Sequence, residues 1–183
     1  MLDEQRSALQ SSGVDICVGP GEEYFHPGKV DFGSYPSWSA VDFETLKEVN
    51  TEVMSSRGCP YHCNFCHNTE TGLTFFSASR TADNIELVLK LGSERIFIVD
   101  DIFTMRASHM SALSEELKKR GLDIRNKCVF FSHVNHLAPD ILEQIARYKP
   151  TQVQLGIESG DDRMLKMMGK TFASETALEK IKT

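Results

Sequence analysis

The sequence predicts an α/β fold, a partial (β/α) TIM-like barrel with about four βα units. Three observations lead there. From residue 51 to the end, short β-prone runs alternate with helical stretches, the pattern of strands joined by crossover helices. The run Ile96, Phe97, Ile98, Val99 is unbroken and apolar, as in a parallel strand covered on both faces. The run 152–158 instead alternates. Val153, Leu155 and Ile157 share one face, and Gln154, Gly156 and Glu158 share the other. A polar inner face suits a barrel with a solvated interior better than a sheet buried on both sides.

The elements follow in order. Residues 14–18 (Val14, Asp15, Ile16, Cys17, Val18) read as a buried strand that stops at Gly19, Pro20 and Gly21. Residues 22–50, punctuated by Pro27, Gly28, Gly33 and Pro36, read as an extended linker. A first barrel strand is expected over 52–56, leading into a loop rich in cysteine. Ile85, Val88 and Leu89 mark a helix that Gly92 ends. The second strand is 96–99. Met110, Leu113 and Leu117 mark the next helix, with Glu115 and Lys119, and Glu116 and Arg120, spaced for pairing on its outer face. The third strand is 128–131. Pro139 suits the first position of a helix carrying Leu142, Ile145 and Ala146. After the fourth strand, helical sequence resumes around 164–168 and again from Ser174.

Composition narrows the function. The chain has 183 residues, 40% hydrophobic and 25% charged, with 20 basic against 26 acidic residues and a net charge of −6. These values exclude a disordered chain, a collagen-like repeat and a disulfide miniprotein, and they give no strong nucleic-acid signal. No run reaches the roughly 18 apolar residues of a membrane span. The acidic start lacks the apolar segment of a signal peptide, so a cytoplasmic protein with no membrane partner is expected.

The cysteines carry the chemistry. Of five, Cys59, Cys63 and Cys66 fall within one short loop, spaced C-x3-C-x2-C, while Cys17 and Cys128 stand alone in apolar runs and read as buried hydrophobes. Such clustering in a reducing compartment points to a metal or iron–sulfur site. Three thiolates can do two things. With His67 or His62 as a fourth ligand they can close a zinc site. On a four-iron cluster they leave one iron without a protein ligand, and a small molecule can take that position through nitrogen and oxygen. Polar residues gather on the same strand edge: Asp100 and Asp101 after the second strand, Ser132 and His133 after the third, Glu158 and Ser159 after the fourth, while no role is favoured for His133 or His136. In βα barrels that edge carries the active site. Met164, Met167 and Met168 read as packing residues.

The loop from Cys59 to Cys66, with Phe65 before the last cysteine, resembles the signature of the radical S-adenosylmethionine (radical SAM) enzymes. Residues 97–103, and 156–160 with Leu165 and Lys170, resemble the branch of that family that often carries a cobalamin-binding domain. Residues 14–22 resemble the last strand of such a domain and its exit, with Pro20 in place of a glutamate. The resemblance implies that residues 1–50 are the tail of a cobalamin-domain-like region plus linker, and that 51–183 are the N-terminal part of a radical SAM barrel. It implies a [4Fe-4S] cluster on Cys59, Cys63 and Cys66, whose open iron chelates S-adenosylmethionine. Reductive cleavage then yields a 5′-deoxyadenosyl radical, used for methyl transfer, cyclisation or rearrangement. Phe65, Asp100, Asp101 and Glu158 are the implied cofactor-binding residues, with Glu158 on the ribose hydroxyls or amino group; no side chain is assigned a catalytic role of its own. A flavodoxin or ferredoxin is the implied electron donor. The substrate, small or macromolecular, is not specified. Cobalamin is implied for a longer protein and not for this chain, which has no Asp-x-His-x-x-Gly loop. Because the family's barrels have at least six strands, this chain is expected to be a piece of a larger one, with the strand at 152–157 open to pairing. The alternative is a non-catalytic module holding zinc or a cluster.

Overall fold

The computed structural model describes residues 52–66 and 72–182. The strand expected at 14–18, the linker at 22–50, Cys17 and His67 lie outside them. Along the described chain come β1 (Glu52–Val53), β2 (Ser56–Arg57), β3 (Thr74–Phe75), α1 (Ala78–Lys90), β4 (Ile96–Ile98), α2 (Ala107–Lys119), β5 (Cys128–Ser132), α3 (Pro139–Tyr148), β6 (Gln152–Leu155), α4 (Asp162–Met167) and α5 (Ser174–Ile181). Strands β1, β4, β5 and β6 form one parallel sheet in that order.

Register decides which side chains meet. Val53 pairs with Ile98, Ile98 with Phe130, and Phe130 with Val153, so one row of apolar side chains crosses the whole sheet on one face. Against that row pack Ala82, Ile85 and Val88 of α1, Met110, Leu113 and Leu117 of α2, and Ile141 and Tyr148 of α3. Each large side chain removed from water here contributes roughly 1.5–3 kcal/mol before conformational entropy is charged against it. The opposite face carries Glu52, Phe97, Phe131 and Gln154, all exposed or half-buried, with the Phe97 and Phe131 rings 5.3 Å apart. Gln154 lies on the polar face that the alternation of 152–158 predicts, whereas Phe97, expected to be covered, is only half-buried.

Local chemistry sets the ends. Ser77 caps α1 by accepting the Arg80 N–H, and Gly92, at φ +84°, ends it in the left-handed region. Pro139 occupies the first turn of α3. Asp161 caps α4, accepting the N–H groups of Arg163 and Met164.

Several expectations need correction. The strand expected over 52–56 is two: the chain leaves the sheet after Val53, and Ser56–Arg57 pairs antiparallel with Thr74–Phe75. Asp100 causes the break by capturing Ser55 and Ser56, as described below. On α3 the buried residues are Ile141, Gln144 and Tyr148, whereas Ala146 is exposed. Lys119 reaches Glu116 and not Glu115, while Arg120 binds Glu116 at 2.8 Å as its spacing predicts. Strand β6 stops at Leu155, because Glu158 adopts φ +68° and Ile157 joins a separate small core of Val134, Leu165, Phe172 and Ala177. Met167 is 64% exposed and Met164 also reaches solvent, so neither is a packing residue. Cys128 is buried as expected, and burial pushes its thiol up to about 12.

Candidate functional site

The C-terminal edge of the parallel sheet gathers four short segments: residues 54–66 after β1, Asp100 and Asp101 after β4, His133 to His136 after β5, and Gly156 to Glu158 after β6. The foundation is a buried clamp. Asp100 is fully buried and accepts three hydrogen bonds, from the Ser55 N–H at 2.6 Å, the Ser55 hydroxyl at 2.5 Å and the Ser56 hydroxyl at 2.7 Å. Burial pushes its carboxyl pKa up, and these donors oppose the rise. Because the Ser55 hydroxyl gives its proton to Asp100, the 3.0 Å contact between Ser55 Oγ and His109 Nε2 is a donation from the histidine. His109 is then the neutral Nε2–H tautomer, in keeping with a pKa pushed down by burial and by Arg106. Asp100, expected among the cofactor-binding residues, is thus placed beneath the rim, with both its oxygens engaged by Ser55 and Ser56.

Asp101, one residue on, is exposed and accepts the Gly58 N–H at 3.0 Å. Gly58 sits at φ +93°, a backbone state only glycine adopts freely, and Cys59 follows directly. Asp101 thus fixes the start of the cysteine loop. Cys59 and Cys63 are half-buried, Cys66 is exposed, and none is in a disulfide. The Cys66 N–H donates to the Cys63 carbonyl at 3.0 Å, closing a tight turn around Asn64 and Phe65. Burial pushes the Cys59 thiol pKa up, and the Asp101 carboxylate adds to that. A bound cation reverses this order, because metal binding expels thiol protons.

Two contacts that the sequence does not announce hold the middle of the loop. The Tyr61 ring stacks on His133 with centroids 4.1 Å apart, and its hydroxyl lies 3.0 Å from His136 Nε2. His133 Nδ1 accepts the Asn135 N–H, so the ring's own proton sits on Nε2, which is buried without a hydrogen-bond partner among the described residues. Burial, with smaller contributions from Lys170 and His136, pulls the His133 pKa to about 4. Ser132 is also buried, bonded to Thr104 at 2.6 Å. Asn64, from the loop, donates to the Met167 and Met168 carbonyls at the end of α4.

The third part is a charged pair. The Lys170 side chain is 5% exposed; its ammonium donates to the Gly156 carbonyl at 2.9 Å and to Glu158 Oε1 at 3.1 Å, and lies 5.4 Å from the Phe65 ring centroid. A Cβ on Gly156 would stand 3.0 Å from Glu158 Oε1 and 3.5 Å from the ammonium, so the glycine makes room for the pair. Glu158 and Phe65, expected to share a site, are brought to one ammonium. Lys170, named above only as part of the resemblance of the segment after the fourth strand, completes the site. Beside it, Asp162, Lys166, Thr171 and Phe172 line a cavity of about 330 Å³. A larger one, about 430 Å³, lies between the end of α2 and the end of α3, at the opposite end of β5 from this chemistry. Size does not locate the site; the convergence of polar groups does.

Among the described residues, no three His, Cys, Asp or Glu side chains converge as ligands of one metal ion. A multi-iron cluster places each thiolate on a different iron, and so draws its ligands from a wider arc. Three non-disulfide thiols on an anchored, part-exposed loop fit that donor set. Residues 53–183 match the profile of the radical SAM superfamily. The chain belongs to that superfamily. It is 29% identical over 161 residues to an uncharacterized methyltransferase of Pyrococcus horikoshii, an alignment covering 84% of this chain and 35% of that protein. It is 24% identical over 200 residues to the tRNA-2-methylthio-N(6)-dimethylallyladenosine synthase of Thermus thermophilus, covering 99% of this chain and 42% of that enzyme. Its fold matches OxsB, a cobalamin-dependent S-adenosylmethionine radical enzyme solved with aqua-cobalamin and S-adenosylmethionine bound, with a TM-score of 0.62, 22% identity, 71% of this chain covered and 21% of that one. The parallel sheet with its helices is therefore part of a radical SAM fold. The chain spans 35% of the first of these relatives and 42% of the second. No helix among the described residues is long and apolar enough to cross a membrane.

Proposed function

We propose that Cys59, Cys63 and Cys66 hold a [4Fe-4S] cluster, and that this part of a radical SAM enzyme binds S-adenosylmethionine at the cluster for group transfer, of a methyl or methylthio group, to a substrate still to be identified. The observation that carries the reading is the placement of three anchored thiols on the same sheet edge as the Lys170–Glu158 pair. When bound, the cluster supplies the electron that cleaves the cofactor reductively, with a flavodoxin or ferredoxin as the donor in keeping with the family.

The chain's own residues do the positioning. Asp100 acts from below, holding Ser55 and Ser56 so that the loop leaves the sheet in one direction. Asp101 orients Gly58 and hence Cys59. The Lys170 ammonium and the Glu158 carboxylate offer a cation and an anion side by side, the complement of an amino acid's carboxylate and ammonium. Phe65, 57% exposed beside them, presents an apolar face to the cofactor. The relatives favour methyl and methylthio transfer over cyclisation or rearrangement. Residues 1–50 are proposed as the tail of a cobalamin-domain-like region and linker, and 51–183 as the N-terminal part of the barrel.

Addition of S-adenosylmethionine to the anaerobically reconstituted, reduced protein tests the reading. The electron paramagnetic resonance spectrum of the cluster is expected to change. In Glu158→Ala, which leaves all three thiols in place, the change is expected to need more cofactor with iron content unaltered. A spectrum indifferent to the cofactor contradicts the proposal, and a Glu158→Ala titration identical to wild type removes Glu158 from the site.

A further inference from the structure

We propose that Asn64 is a positioning residue that locks the Cys63–Cys66 turn in register with the Lys170–Glu158 pair. The inference rests on the assignment of the cluster to the three cysteines. The last carbonyls of a helix have no partner within it and normally face water. At the end of α4 one residue supplies both missing donors: the Asn64 N–H reaches the Met168 carbonyl at 2.9 Å and its side-chain amide reaches the Met167 carbonyl at 2.6 Å. Asn64 lies 103 positions away from Met167, so this is a tertiary latch and not a local cap.

The next residue of the helix end tightens the fit. Gly169 adopts φ +74°, and a Cβ there would stand 2.9 Å from the His62 carbonyl and 3.4 Å from the Asn64 nitrogen. Backbone touches backbone with no space for a side chain. Lys170 follows at once, under the Phe65 ring. Residues 64 and 65 are therefore each held by the 167–170 segment, and the Cys66 N–H to Cys63 carbonyl bond closes the turn around them. Any shift of that segment moves two thiols and the Lys170–Glu158 pair together. Asn64 is itself exposed, so water can replace its side-chain bond, and its loss should alter the position of the loop more than the stability of the fold.

The experiment uses the full chain, reconstituted anaerobically, as wild type, Asn64→Ala and Gly169→Ala. Iron content, melting temperature and the S-adenosylmethionine concentration at half-change of the reduced cluster's paramagnetic spectrum are read together. Residues that support metal ligands from behind typically change affinity by about 10–100-fold when removed. The expected result for Asn64→Ala is a wild-type melting temperature with either about a tenfold higher half-change concentration or a loss of iron; Gly169→Ala, whose Cβ meets backbone, moves the half-change concentration or the iron content the same way at a lower melting temperature. Asn64→Ala with wild-type iron and a half-change concentration within about twofold of wild type overturns the latch alone. Loss of fold and cluster together makes Asn64 a structural cap and also overturns it. Wild type that takes up no iron, or whose spectrum ignores the cofactor, overturns the functional reading and the latch with it.

Discussion

Asp100 and Asp101 are neighbours in the chain and end the same strand, yet they sit in opposite surroundings. Around Asp100, every polar group is buried and engaged: two serines donate three bonds to one carboxylate, and His109 donates to one of those serines. On the rim, Asp101, the thiols, Phe65 and Glu158 are wholly or partly open to solvent. The contrast separates scaffold from site. A fully buried carboxylate with both oxygens engaged by the protein holds the backbone beneath the rim. A rim whose groups are held from behind and open in front can receive one.

The comparison can be broken, and the largest expected effect is in the clamp. Asp100→Asn turns one acceptor oxygen into a donor facing the donors of Ser55 and Ser56. The expected loss is about 3 kcal/mol of unfolding free energy, with cluster assembly impaired. Chemical denaturation measures it, and a loss under about 1 kcal/mol would dissolve the distinction between clamp and rim.

Acid acts through the wall between the two regions. The His133 pKa is held near 4, below the ordinary 6.5, so the folded state resists protonation that the unfolded chain accepts. Its contribution to stability is fully present above pH 6.5, falls as pH drops through that value, and is exhausted below about 4. His109 and His136, also shifted down by burial, act in the same direction. Denaturation midpoints measured from pH 7 to 4 should fall for wild type and fall less for His133→Gln.

The smallest effect on stability belongs to the rim. Glu158→Gln keeps an acceptor for Lys170, which also retains the Gly156 carbonyl, and should cost less than about 1 kcal/mol while weakening cofactor binding. Matching losses of stability in Asp100→Asn and Glu158→Gln would show that both carboxylates are scaffold.

Much of this was legible in the sequence because the signals are local. The apolar runs at β4 and β5, the stripes of α1 and α2 and the cysteine spacing each lie within a few residues. What was not legible depends on distance in the chain. Nothing near Asp100 announces that Ser55, 45 residues away, will bury it. Nothing near Asn64 announces the end of α4, and Lys170 joins Phe65 and Glu158 only through the fold. The end of β6 differs for another reason: the alternation continues to Glu158, but the strand ends at Leu155 and Glu158 has a left-handed backbone, outside the strand geometry on which alternation depends.

The central claim is that three thiols on one anchored loop hold an iron–sulfur cluster, and the most direct measurement is metal and sulfide content after anaerobic reconstitution. The account predicts a brown protein with about four irons and four sulfides per chain, lost on changing any one of Cys59, Cys63 or Cys66 to Ala and retained in Cys128→Ala. A colourless protein carrying one zinc ion per chain would contradict it.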